Sequence, residues 1–392
     1  MIIARVLESN LNIITLNVPW PPDYGGMIDT YHRLRCLSEA GIKIHLHCFT
    51  YGRPVSQELE TMCASVKYYH RKSTLFSHLS PLPYTVITRR SSELEENLLT
   101  NNYPLLFDGL HTCFLLNDGK FSSRRMFVRM HNIEHNYYLS RARHEKNIFR
   151  SIYFRREAFR LWRFENILGR AEKLFPISEA DHKYLSQKFG NSCLIPPFHP
   201  FSSLSIKDGK GEYLLYHGDL SVNENEAIAM MLTRDVFSRT QYHCIIAGKR
   251  PSTLLRKAVS RFGNIRLIAD PGNIEMEALI RNAQINLIPA AEAEGFKIKL
   301  LFTLFAGRHC ITNSIMLAGS GDNRDIKDQL RKCVNTADSP KEMLSIINKL
   351  TEIPLREETI KEREKLLNGV FNNSRNAACL ISSIFLPANS QT

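Results

Sequence analysis

Long apolar runs, paired cysteines and secretory signals are all missing from this sequence of 392 residues. No apolar stretch reaches the ~18 residues needed to cross a bilayer, so a transmembrane protein is not expected. The N-terminus has no basic segment followed by a long apolar core, so we expect no signal peptide. Nine cysteines occur without C-x-x-C spacing, which argues against a zinc ribbon or a redox pair, and their odd number does not suggest a complete disulfide framework. Together these absences predict a cytoplasmic protein.

The common glycine-rich phosphate signatures are missing as well. The loop Pro21–Gly26 follows the first predicted strand but matches neither the dinucleotide fingerprint G-x-G-x-x-G nor a P-loop, which disfavours a Rossmann dehydrogenase. Its two glycines, Gly25 and Gly26, would let the backbone approach a ligand closely. A tight turn is the simpler interpretation of this loop taken alone.

Acidic residues are in short supply, with 39 Asp and Glu against 51 Lys and Arg and a formal net charge of +12. The excess peaks between Arg141 and Lys173, which hold ten basic and four acidic residues. Such a field attracts phosphates, nucleic acid or anionic lipid headgroups. Nucleic-acid binding is not expected, because no stacking platform or reading helix is evident.

Aromatic residues are interleaved with this basic segment, namely Phe149, Tyr153, Phe154, Phe159, Trp162 and Phe164. One interpretation is a helix that lies on an anionic membrane surface. The other, which the pattern favours, is an amphipathic helix with its aromatic side chains in the core and its arginines in water.

Predicted strands and helices alternate along the chain in two series, which indicates an α/β protein with mainly parallel sheets covered on both faces. The length suits two domains of ~200 residues. A proline-rich segment, Pro196–Pro200, separates the series, so we predict domains at 1–200 and 201–372 and a C-terminal helix within 373–392. The predicted strands are Asn12–Val18, Lys43–Phe49, Pro104–Phe107, Arg125–Met130, Lys173–Ile177, Tyr213–His217, His243–Ala247, Ile265–Ile268, Ile285–Ile288 and His309–Thr312.

One strand–loop–helix joint has the composition of a nucleotide-sugar pocket. The apolar run Ile285–Pro289 is followed by Glu294, Gly295 and a helix start that contains Lys297 and Lys299. A carboxylate suits sugar hydroxyls, and the free N–H groups of a helix N-terminus, with a lysine, suit a diphosphate. An ordinary joint with an exposed acid is the alternative.

A histidine follows another predicted strand. His131 comes directly after Met130, so it would point from a strand end towards a ligand, where imidazole can bind a hydroxyl or phosphate or stabilise developing charge. His131, Glu134 and His135 also match the H-x-x-E-H zinc-peptidase motif. That motif requires a helix with both histidines on one face, whereas His131 follows a strand. A structural histidine is a third interpretation.

In their order along the chain, these segments resemble a GT-B glycosyltransferase, most closely the large family 4 of retaining, nucleotide-sugar-dependent enzymes. The resemblance covers nearly the whole chain. It rests on Gly25-Gly26, His131, Pro176-Ile177-Ser178, Leu215-Tyr216-His217-Gly218-Asp219-Leu220, Ile245-Ile246-Ala247-Gly248, Glu294-Gly295-Phe296 and Ala306-Gly307-Arg308-His309-Cys310-Ile311.

The resemblance implies two Rossmann-like domains that face each other across a cleft, with the acceptor bound by the N-terminal domain and the donor by the C-terminal one. It implies that His131 lies beside the transferred sugar and that Glu294 contacts sugar hydroxyls. The donor diphosphate would meet the Gly25-Gly26 loop and the loop of Gly295, Phe296, Lys297 and Ile298. The helix near Asn376–Phe385 would cross back onto the N-terminal domain. No metal and no cofactor besides the donor substrate is expected, because helix dipoles and basic side chains neutralise the leaving diphosphate.

Three positions depart from the family pattern. The second acid of its Glu-x(7)-Glu motif is Phe302 here, and the arginine and lysine that follow the strand ending at Gly218 are Asp219 and Glu224. Two acids in place of two cations would repel a diphosphate. We expect the lost charge to come from neighbouring loops, with hydrogen bonds from Asn223 or Asn225; the basic residues concerned are Lys249, Arg250, Lys297 and Lys299.

The sequence therefore predicts a cytoplasmic glycosyltransferase of hexosyltransferase type. It would move a sugar from a nucleotide-diphosphate donor to a saccharide or lipid-linked glycan in surface polysaccharide biosynthesis, with a peripheral contact to the inner membrane face as a further expectation. The alternative is a catalytically degenerate GT-B protein that acts as a scaffold or partner subunit. A zinc hydrolase on His131, Glu134 and His135 is a remote third hypothesis.

Overall fold

Two parallel sheets of six strands underlie the alternation of strands and helices in the chain. The structure is a computed structural model that describes residues 9–145, 147–293, 295–318 and 324–386. The described residues form two units, each built on one sheet. Unit 1 runs up to Pro200 and resumes at Phe371, and unit 2 is Phe201–Val370.

The sheet of unit 1 is doubly wound. Its strands are β1 (Asn10–Thr15), β2 (Lys43–Thr50), β3 (Ser65–His70), β4 (Leu105–Asp108), β5 (Met126–Met130) and β6 (Lys173–Pro176). Their order in the sheet is β3-β2-β1-β4-β5-β6, and every neighbouring pair is parallel. The direction of winding reverses between β1 and β4, and in open sheets of this kind ligands bind beyond the carboxyl ends of the strands at that point.

Helices cover both faces of this sheet. Up to Pro200 they are α1 (Gly25–Glu39), α2 (Gln57–Met62), α3 (Tyr84–Ile87), α4 (Ser92–Leu99), α5 (Glu134–His144), α6 (Ile148–Phe164) and α7 (Glu179–Phe189). Successive strand residues alternate between two buried clusters. In β4, Leu105 and Phe107 pack with α4 and α7, while Leu106 packs with α1 on the other face. Burial on both faces is why these strands are nearly continuous apolar runs.

Unit 2 repeats the arrangement. Its strands are β7 (Leu214–Asp219), β8 (Cys244–Lys249), β9 (Ile265–Ala269), β10 (Ile285–Leu287), β11 (His309–Thr312) and β12 (Asn335–Thr336), in the order β12-β11-β10-β7-β8-β9 with all pairs parallel. Its helices are α8 (Asn223–Asp235), α9 (Thr253–Val259), α10 (Asn273–Asn282), α11 (Lys299–Ala306), α12 (Ser314–Ala318), α13 (Arg324–Cys333), α14 (Pro340–Leu350) and α15 (Glu357–Val370).

The C-terminal helix α16 (Asn373–Phe385) belongs to unit 1. Asn372 caps it by accepting a hydrogen bond from the Arg375 backbone N–H. Its apolar stripe of Ala377, Leu380 and Ile384 is buried in the same cluster as α1. This stripe completes the face of the sheet on which α1 lies.

The ten predicted strands all occur, with ends that differ by a few residues. The structure adds β3 and β12, which the sequence analysis did not predict. Each lies at the edge of its sheet, where burial is partial and the sequence is not a continuous apolar run. Within the described ranges, no helix combines the length and hydropathy needed to cross a membrane.

Two glycines let the ends of β7 and β8 approach closely. A Cβ atom built on Gly248 would overlap the carbonyl oxygen of Gly218 and would lie 2.8 Å from Leu220 Cγ. We therefore expect Gly248→Ala to lower the free energy of unfolding by about 1–3 kcal/mol, because one strand must shift. Urea denaturation followed by circular dichroism measures this loss.

The matched control is Gly263→Ala, because an added Cβ there meets no atom within 4 Å. A loss for Gly248→Ala no larger than that of the control would contradict the close approach of the two strands.

Candidate functional site

Two aspartates and two arginines form a buried ion-pair network at the carboxyl edge of the unit 1 sheet. Arg129 on β5 donates from Nη2 to Asp29 Oδ1 at 2.6 Å and from Nε to Asp29 Oδ2 at 3.0 Å. Asp108, at the end of β4, accepts from Arg33 Nη2 at 2.9 Å. None of the four side chains has exposed surface. Charges of both signs balance within the network, and buried charges need such pairing.

His131, directly after β5, is joined to this network and is almost fully buried. Its Nε2 lies 3.1 Å from Asp29 Oδ2. Burial alone raises the pKa of Asp29, but the charge of Arg129 and hydrogen bonds from His131 and Arg129 outweigh it and hold that pKa well below its usual range. An ionised carboxylate only accepts hydrogen bonds, so Nε2 of His131 is the protonated nitrogen. In the neutral imidazole Nδ1 is then an acceptor.

A second buried acid, Glu134, is the first residue of α5. Its Oε2 lies 3.4 Å from His111 Nε2. Burial, followed by the nearby Asp181, raises the pKa of Glu134 to about 8. Burial, followed by the charge of Arg89, lowers the pKa of His111 to about 3. Both groups are therefore uncharged at neutral pH, and the pair is a contact between a carboxylic acid and a neutral imidazole rather than an ion pair.

Gly25 and Gly26 are the first residues of α1, which follows β1. Tyr24 precedes them in an extended conformation and makes no side-chain cap to the first turn. Neither glycine has a positive φ, so the backbone does not require glycine here. Their lack of side chains instead leaves the N-terminal amides of α1 uncovered, which is an arrangement that suits an anion.

The hypothesis of a zinc site on His131, Glu134 and His135 is not supported by the positions of these side chains. The first two have the separate partners described above, and His135 Nδ1 lies 2.9 Å from Glu165 Oε2. Across the described residues, no group of three or more His, Cys, Asp or Glu side chains is arranged to hold a metal ion.

In unit 2, the ends of three elements meet at the carboxyl edge of β7. Lys299, the first residue of α11, donates from Nζ to Asn225 Oδ1 at 3.1 Å. Asn225, in the first turn of α8, donates from Nδ2 to the Asp219 carbonyl oxygen at 3.0 Å. A Cβ built on Gly218 would lie only 3.4 Å from Asn225 Cγ, so the glycine leaves room for that amide.

The ammonium group of Lys299 donates a hydrogen bond to an amide and has one charged neighbour of each sign. Burial lowers the pKa of Lys299 to about 8; Lys297 lowers it further and Glu224 opposes the shift. The Tyr216 ring lies beneath the ammonium, with 5.4 Å between Nζ and the ring centroid. The hydrogen-bond partner of this cation is an amide, which does not neutralise its charge.

His217 and Thr303 join the same edge. His217 Nε2 lies 3.0 Å from Thr303 Oγ1, which stands one helical turn after Lys299 on α11. Burial, followed by the charge of Lys299, lowers the pKa of His217 to about 3. This neutral hydrogen bond fixes the face of α11 that presents Lys299.

The two acids at the expected cation positions both have partners. Asp219 Oδ1 accepts from the Ser221 backbone N at 3.0 Å and from Ser221 Oγ at 2.6 Å. Ser221 Oγ in turn accepts from Arg250 Nη2 at 3.0 Å. Glu224 interacts electrostatically with Lys299. Each acid is thus coupled to a cation, which reduces its repulsion of a diphosphate.

The remaining predicted donor contacts lie at the same strand ends. Lys249 is the last residue of β8 and is half-buried, and Asn223 is the exposed first residue of α8. Arg250 follows Lys249, and its backbone N–H donates to Asp270 Oδ1 at 2.9 Å. The three residues lie in or at the ends of the loops that follow β7 and β8.

The loop before α11 is described only in part. Glu294, the predicted acid, lies outside the described residues. Gly295 has a φ of +67°, in the left-handed region that favours glycine. Phe296 and Lys297 are half-buried, and Ile298 precedes α11 without a side-chain cap to its first turn.

Phe302 packs in an apolar cluster. Its ring meets that of Phe201 edge to face, with centroids 5.1 Å apart. The side chain therefore belongs to the packing of α11 against unit 2 rather than to the polar edge that presents Lys299. At the position of the second acid of the Glu-x(7)-Glu motif, this chain therefore has an apolar side chain that packs in the core of unit 2.

Helix α6 exposes aromatic side chains that the favoured sequence interpretation placed in the core. Phe149 is 80% exposed, Phe159 57% and Trp162 51%, whereas Phe154 is buried. That interpretation is therefore wrong for three of the aromatic residues. The physical reason is that α6 needs only one narrow stripe to cover unit 1, and its other apolar residues are on the solvent face.

Comparison with known proteins identifies the fold. No protein-family model matches the chain. A Klebsiella pneumoniae protein, described as an uncharacterized 44.6 kDa protein in cps region, is 27% identical over 332 residues, which are 79% of this chain and 84% of that protein.

Three solved glycosyltransferase structures illustrate the structural likeness. WaaG, a glycosyltransferase involved in lipopolysaccharide biosynthesis, has a TM-score of 0.64 at 12% identity, covering 96% of this chain and 100% of WaaG. Anabaena Alr3699/HepE, solved with UDP and glucose, has a TM-score of 0.62 at 11% identity, covering 95% and 98%. A Rickettsia africae glycosyltransferase has a TM-score of 0.60 at 11% identity, covering 97% and 100%. With its two parallel sheets, the chain has the α/β two-domain GT-B fold, as predicted.

Sequence reasoning placed His131 at a strand end and Lys299 at a helix start, but it missed their partners. Asp29 and Arg33 are one turn apart on α1, and Arg129 interrupts an apolar strand. A charged residue within a buried strand is a signal that a buried counter-charge exists, although it does not identify that partner. Thr303, in an otherwise apolar stretch of α11, is a similar signal.

The raised pKa of Glu134 gives a prediction for stability against pH. In the unfolded chain a glutamate ionises near ~4.3, whereas Glu134 in the native state keeps its proton up to about pH 8. Ionisation therefore favours the unfolded chain between these two pH values, and the native state loses stability as pH rises from ~4.3 towards 8. Glu134→Gln removes this loss. We expect the variant to gain stability over wild type by up to about 4 kcal/mol between pH 5 and pH 8.

Thermal denaturation at pH 5, 6.5 and 8 measures the difference, with Glu96→Gln on the exposed face of α4 as the control. A difference between Glu134→Gln and wild type that does not change with pH would show that Glu134 is ionised in the native state.

Proposed function

We propose that this protein is a glycosyltransferase that transfers a sugar from a nucleotide-diphosphate donor to a saccharide or lipid-linked glycan acceptor, in the biosynthesis of a surface polysaccharide. The observation on which this depends is the amide-held cation Lys299 at the carboxyl edge of β7. The GT-B fold supports it, as do structural neighbours solved with UDP or UDP-L-rhamnose. A relative from a cps region, a name that denotes capsular polysaccharide genes, supports the polysaccharide acceptor.

The donor diphosphate would bind in unit 2, against Lys299 and the uncapped first turn of α11. Lys297, Lys249 and Arg250 add positive charge, and Gly218 and Asn223 line the approach. These groups would neutralise the leaving diphosphate without a metal, because fixed dipoles and cations act strongly where charge develops. In a retaining reaction the leaving diphosphate itself would take the acceptor proton on the same face of the sugar.

In unit 1, His131 would bind the transferred sugar. Its Nε2 is bound to Asp29, so its Nδ1 is the nitrogen left to hydrogen-bond with a sugar hydroxyl. Glu294, which lies outside the described residues, keeps its predicted contact with sugar hydroxyls. Gly25 and Gly26 would offer the amides of α1 to the donor phosphates.

A degenerate scaffold protein is the second candidate, and Phe302 favours it. The family pattern has at this position an acid that would bind a ribose, whereas this chain has a phenylalanine whose ring packs on Phe201. A scaffold of this kind would retain the GT-B fold but would not bind a nucleotide.

Thermal denaturation with UDP, GDP, ADP, CMP and dTDP, and with their common sugars, tests the donor site. A ligand at a hundredfold excess over its Kd stabilises the native state by about 2.7 kcal/mol, which raises the melting temperature by several degrees. We expect one nucleotide to do so, and Lys299→Gln to abolish the shift. Lys341→Ala, on the exposed face of α14, is the control.

The lowered pKa of Lys299 predicts how nucleotide affinity depends on pH. Because the ammonium loses its proton near pH 8, nucleotide affinity should fall between pH 7 and pH 9 in wild type. Lys299→Arg keeps its charge over this range, so its affinity should stay constant. If no nucleotide shifts the melting temperature at millimolar concentration, the result favours the scaffold protein. If Lys299→Gln binds a nucleotide with wild-type affinity, Lys299 does not contact the donor.

We also propose that the exposed face of α6 contacts an anionic membrane surface. The apolar side chains on this face are Ile148, Phe149, Ile152, Phe159 and Trp162. The arginines interleaved with them are Arg150, Arg155, Arg156 and Arg163, and the acids of α6 and the turn after it, Glu157 and Glu165, are buried. Aromatic side chains that enter the interface beside cations that bind anionic lipid headgroups are typical of a helix that lies on a membrane.

Flotation with vesicles tests this contact. We expect wild type to float with vesicles rich in phosphatidylglycerol and to remain unbound with phosphatidylcholine alone. The triple variant Phe149→Ala, Phe159→Ala, Trp162→Ala should lose binding by about tenfold or more, because three apolar anchors leave the interface. Arg261→Ala with Arg266→Ala, on exposed positions of unit 2, is the control. Absence of wild-type binding to the anionic vesicles would contradict the membrane contact.

A further inference from the structure

A cavity of about 390 Å³ lies at the amino edge of the unit 2 sheet. It is lined by His309, the first residue of β11, and by Asn335, the first residue of β12. The proposed donor site lies at the carboxyl edge of the same sheet, beside Lys299. This Arg363 cavity, named for a buried arginine of α15 in its wall, is therefore separate from the donor site.

Arg363 is a buried cation without a counter-charge. Its side chain is only 5% exposed. Its Nη1 donates to the Gly307 carbonyl oxygen at 2.9 Å, but its Nε has no hydrogen-bond partner in the part of the chain that the structure describes. Burial lowers the pKa of Arg363, and no carboxylate among the described residues opposes that shift. Because a guanidinium keeps its proton at neutral pH, this buried charge is one that an anion would stabilise.

The other charged side chains of the cavity are also cations. Lys332, near the end of α13, and Arg356, directly before α15, are exposed and line it together with Arg363. No aspartate or glutamate is among the described residues that line it. A neighbouring cavity of about 500 Å³ shares Lys332 and Arg363 and adds Lys365 and one acid, Glu362. Positive charge therefore predominates in both cavities.

The walls of the Arg363 cavity are fixed by hydrogen bonds in which Arg363 takes no part. The Ile353 carbonyl oxygen accepts from His309 Nε2 and from Gln284 Nε2, each at 2.9 Å. Leu355 and Gly209 exchange two backbone hydrogen bonds of 2.9 Å. Since these contacts hold the segment before α15 without a ligand, binding does not have to pay for ordering it.

One wall of the cavity is apolar, and the volume exceeds what a single small ion needs. The apolar residues in this wall are Val334, Ile353, Pro354 and Leu355. Small-molecule sites commonly enclose ~300–1,000 Å³ and combine an apolar lining with a few polar groups. The cavity can therefore hold a small organic group beside an anion.

We propose that the Arg363 cavity binds a phosphate group, either as free phosphate or as the monoester of a small molecule. The planar guanidinium of Arg363 suits two phosphate oxygens, and Lys332 and Arg356 add charge from the exposed side. The hydroxyl of Thr359, which also lines the cavity, can donate a further hydrogen bond. A phosphate monoester carries a charge of about −1.5 to −2 at pH 7, which matches three cations better than a carboxylate does.

Thermal denaturation with inorganic phosphate tests the site. At millimolar phosphate we expect the melting temperature to be at least about 2 °C higher than in potassium chloride of equal ionic strength, because a ligand of the native state stabilises it. Phosphate also stabilises proteins by its exclusion from their surface. Variants of the cavity keep that general effect, so the difference between wild type and variant measures binding at the site.

The double variant Lys332→Gln, Arg356→Gln removes two exposed cations, a change that the fold should tolerate. We expect the phosphate concentration for a half-maximal rise to increase at least about tenfold. Arg363→Met removes the buried charge and should abolish the site-specific rise. Lys349→Gln, at an exposed lysine of α14 outside the cavity, is the control. A rise in the double variant as large as in wild type, at the same phosphate concentrations, would overturn the proposal.

The donor site could also bind phosphate, and Lys299→Gln separates the two sites. We expect this variant to keep the phosphate effect and to lose the nucleotide effect, whereas the double variant should do the opposite. Loss of the phosphate effect in Lys299→Gln, with the double variant unaffected, would assign it to the donor site and overturn the proposal.

Glucose 6-phosphate distinguishes the two sources of the phosphate group. A half-maximal concentration below that of inorganic phosphate, and raised again in the double variant, would identify a phosphate monoester as the ligand. Equal concentrations for the two compounds would identify free phosphate. Absence of a site-specific rise with both compounds would contradict the proposed site.

Discussion

The ion-pair network of Asp29, Arg33, Asp108 and Arg129 is the constraint on which the centre of unit 1 depends. It joins α1, which follows β1, to the ends of β4 and β5, next to the point between β1 and β4 where the winding of the sheet reverses. It also reaches the segment before unit 2, because Arg129 Nη1 donates to the Ile195 carbonyl oxygen at 2.7 Å. Removal of one partner from such a pair leaves an unpaired buried charge, at a cost of about 3–5 kcal/mol. The orientation of His131 follows from this network, since Asp29 fixes both its position and its tautomer.

In unit 2 the side chain at the carboxyl edge of the sheet is a single cation, Lys299, and neutral side chains rather than an ion-pair network position it. The glycines at the ends of β7 and β8 bring the following loops together, and Asn225 and Thr303 position the start of α11. The ammonium of Lys299 donates its hydrogen bond to an amide in a partly buried position, and Glu224 acts on it electrostatically. The acids at Asp219 and Glu224 are coupled to Arg250 and Lys299. The donor site we propose therefore has its cations on different elements from those of the family pattern.

Much of the fold could be predicted from local patterns, because the central strands are buried on both faces. A strand of this kind is an apolar run whatever its neighbours are, and the ten runs were all strands. Helix α7 has local signals at both ends, because Ser178 caps its start and Gly190 ends it with a left-handed backbone. The edge strands β3 and β12 were missed because partial burial leaves no apolar run. In the site, His131 and Lys299 could be located because ligands of parallel sheets bind at the carboxyl ends of strands.

The sequence by itself determined the class of fold, the order of its elements and the strand ends at which polar side chains gather. Each of these follows from the spacing of apolar residues over ten or twenty positions. Only the tertiary structure decided which groups meet: Asp29 with Arg129, and Lys299 with Asn225. It also decided which stripe of α6 is buried, and hence that Phe159 and Trp162 are exposed. The reason is that strand order and helix rotation bring together residues 74 and 100 positions apart, and no local periodicity records that proximity.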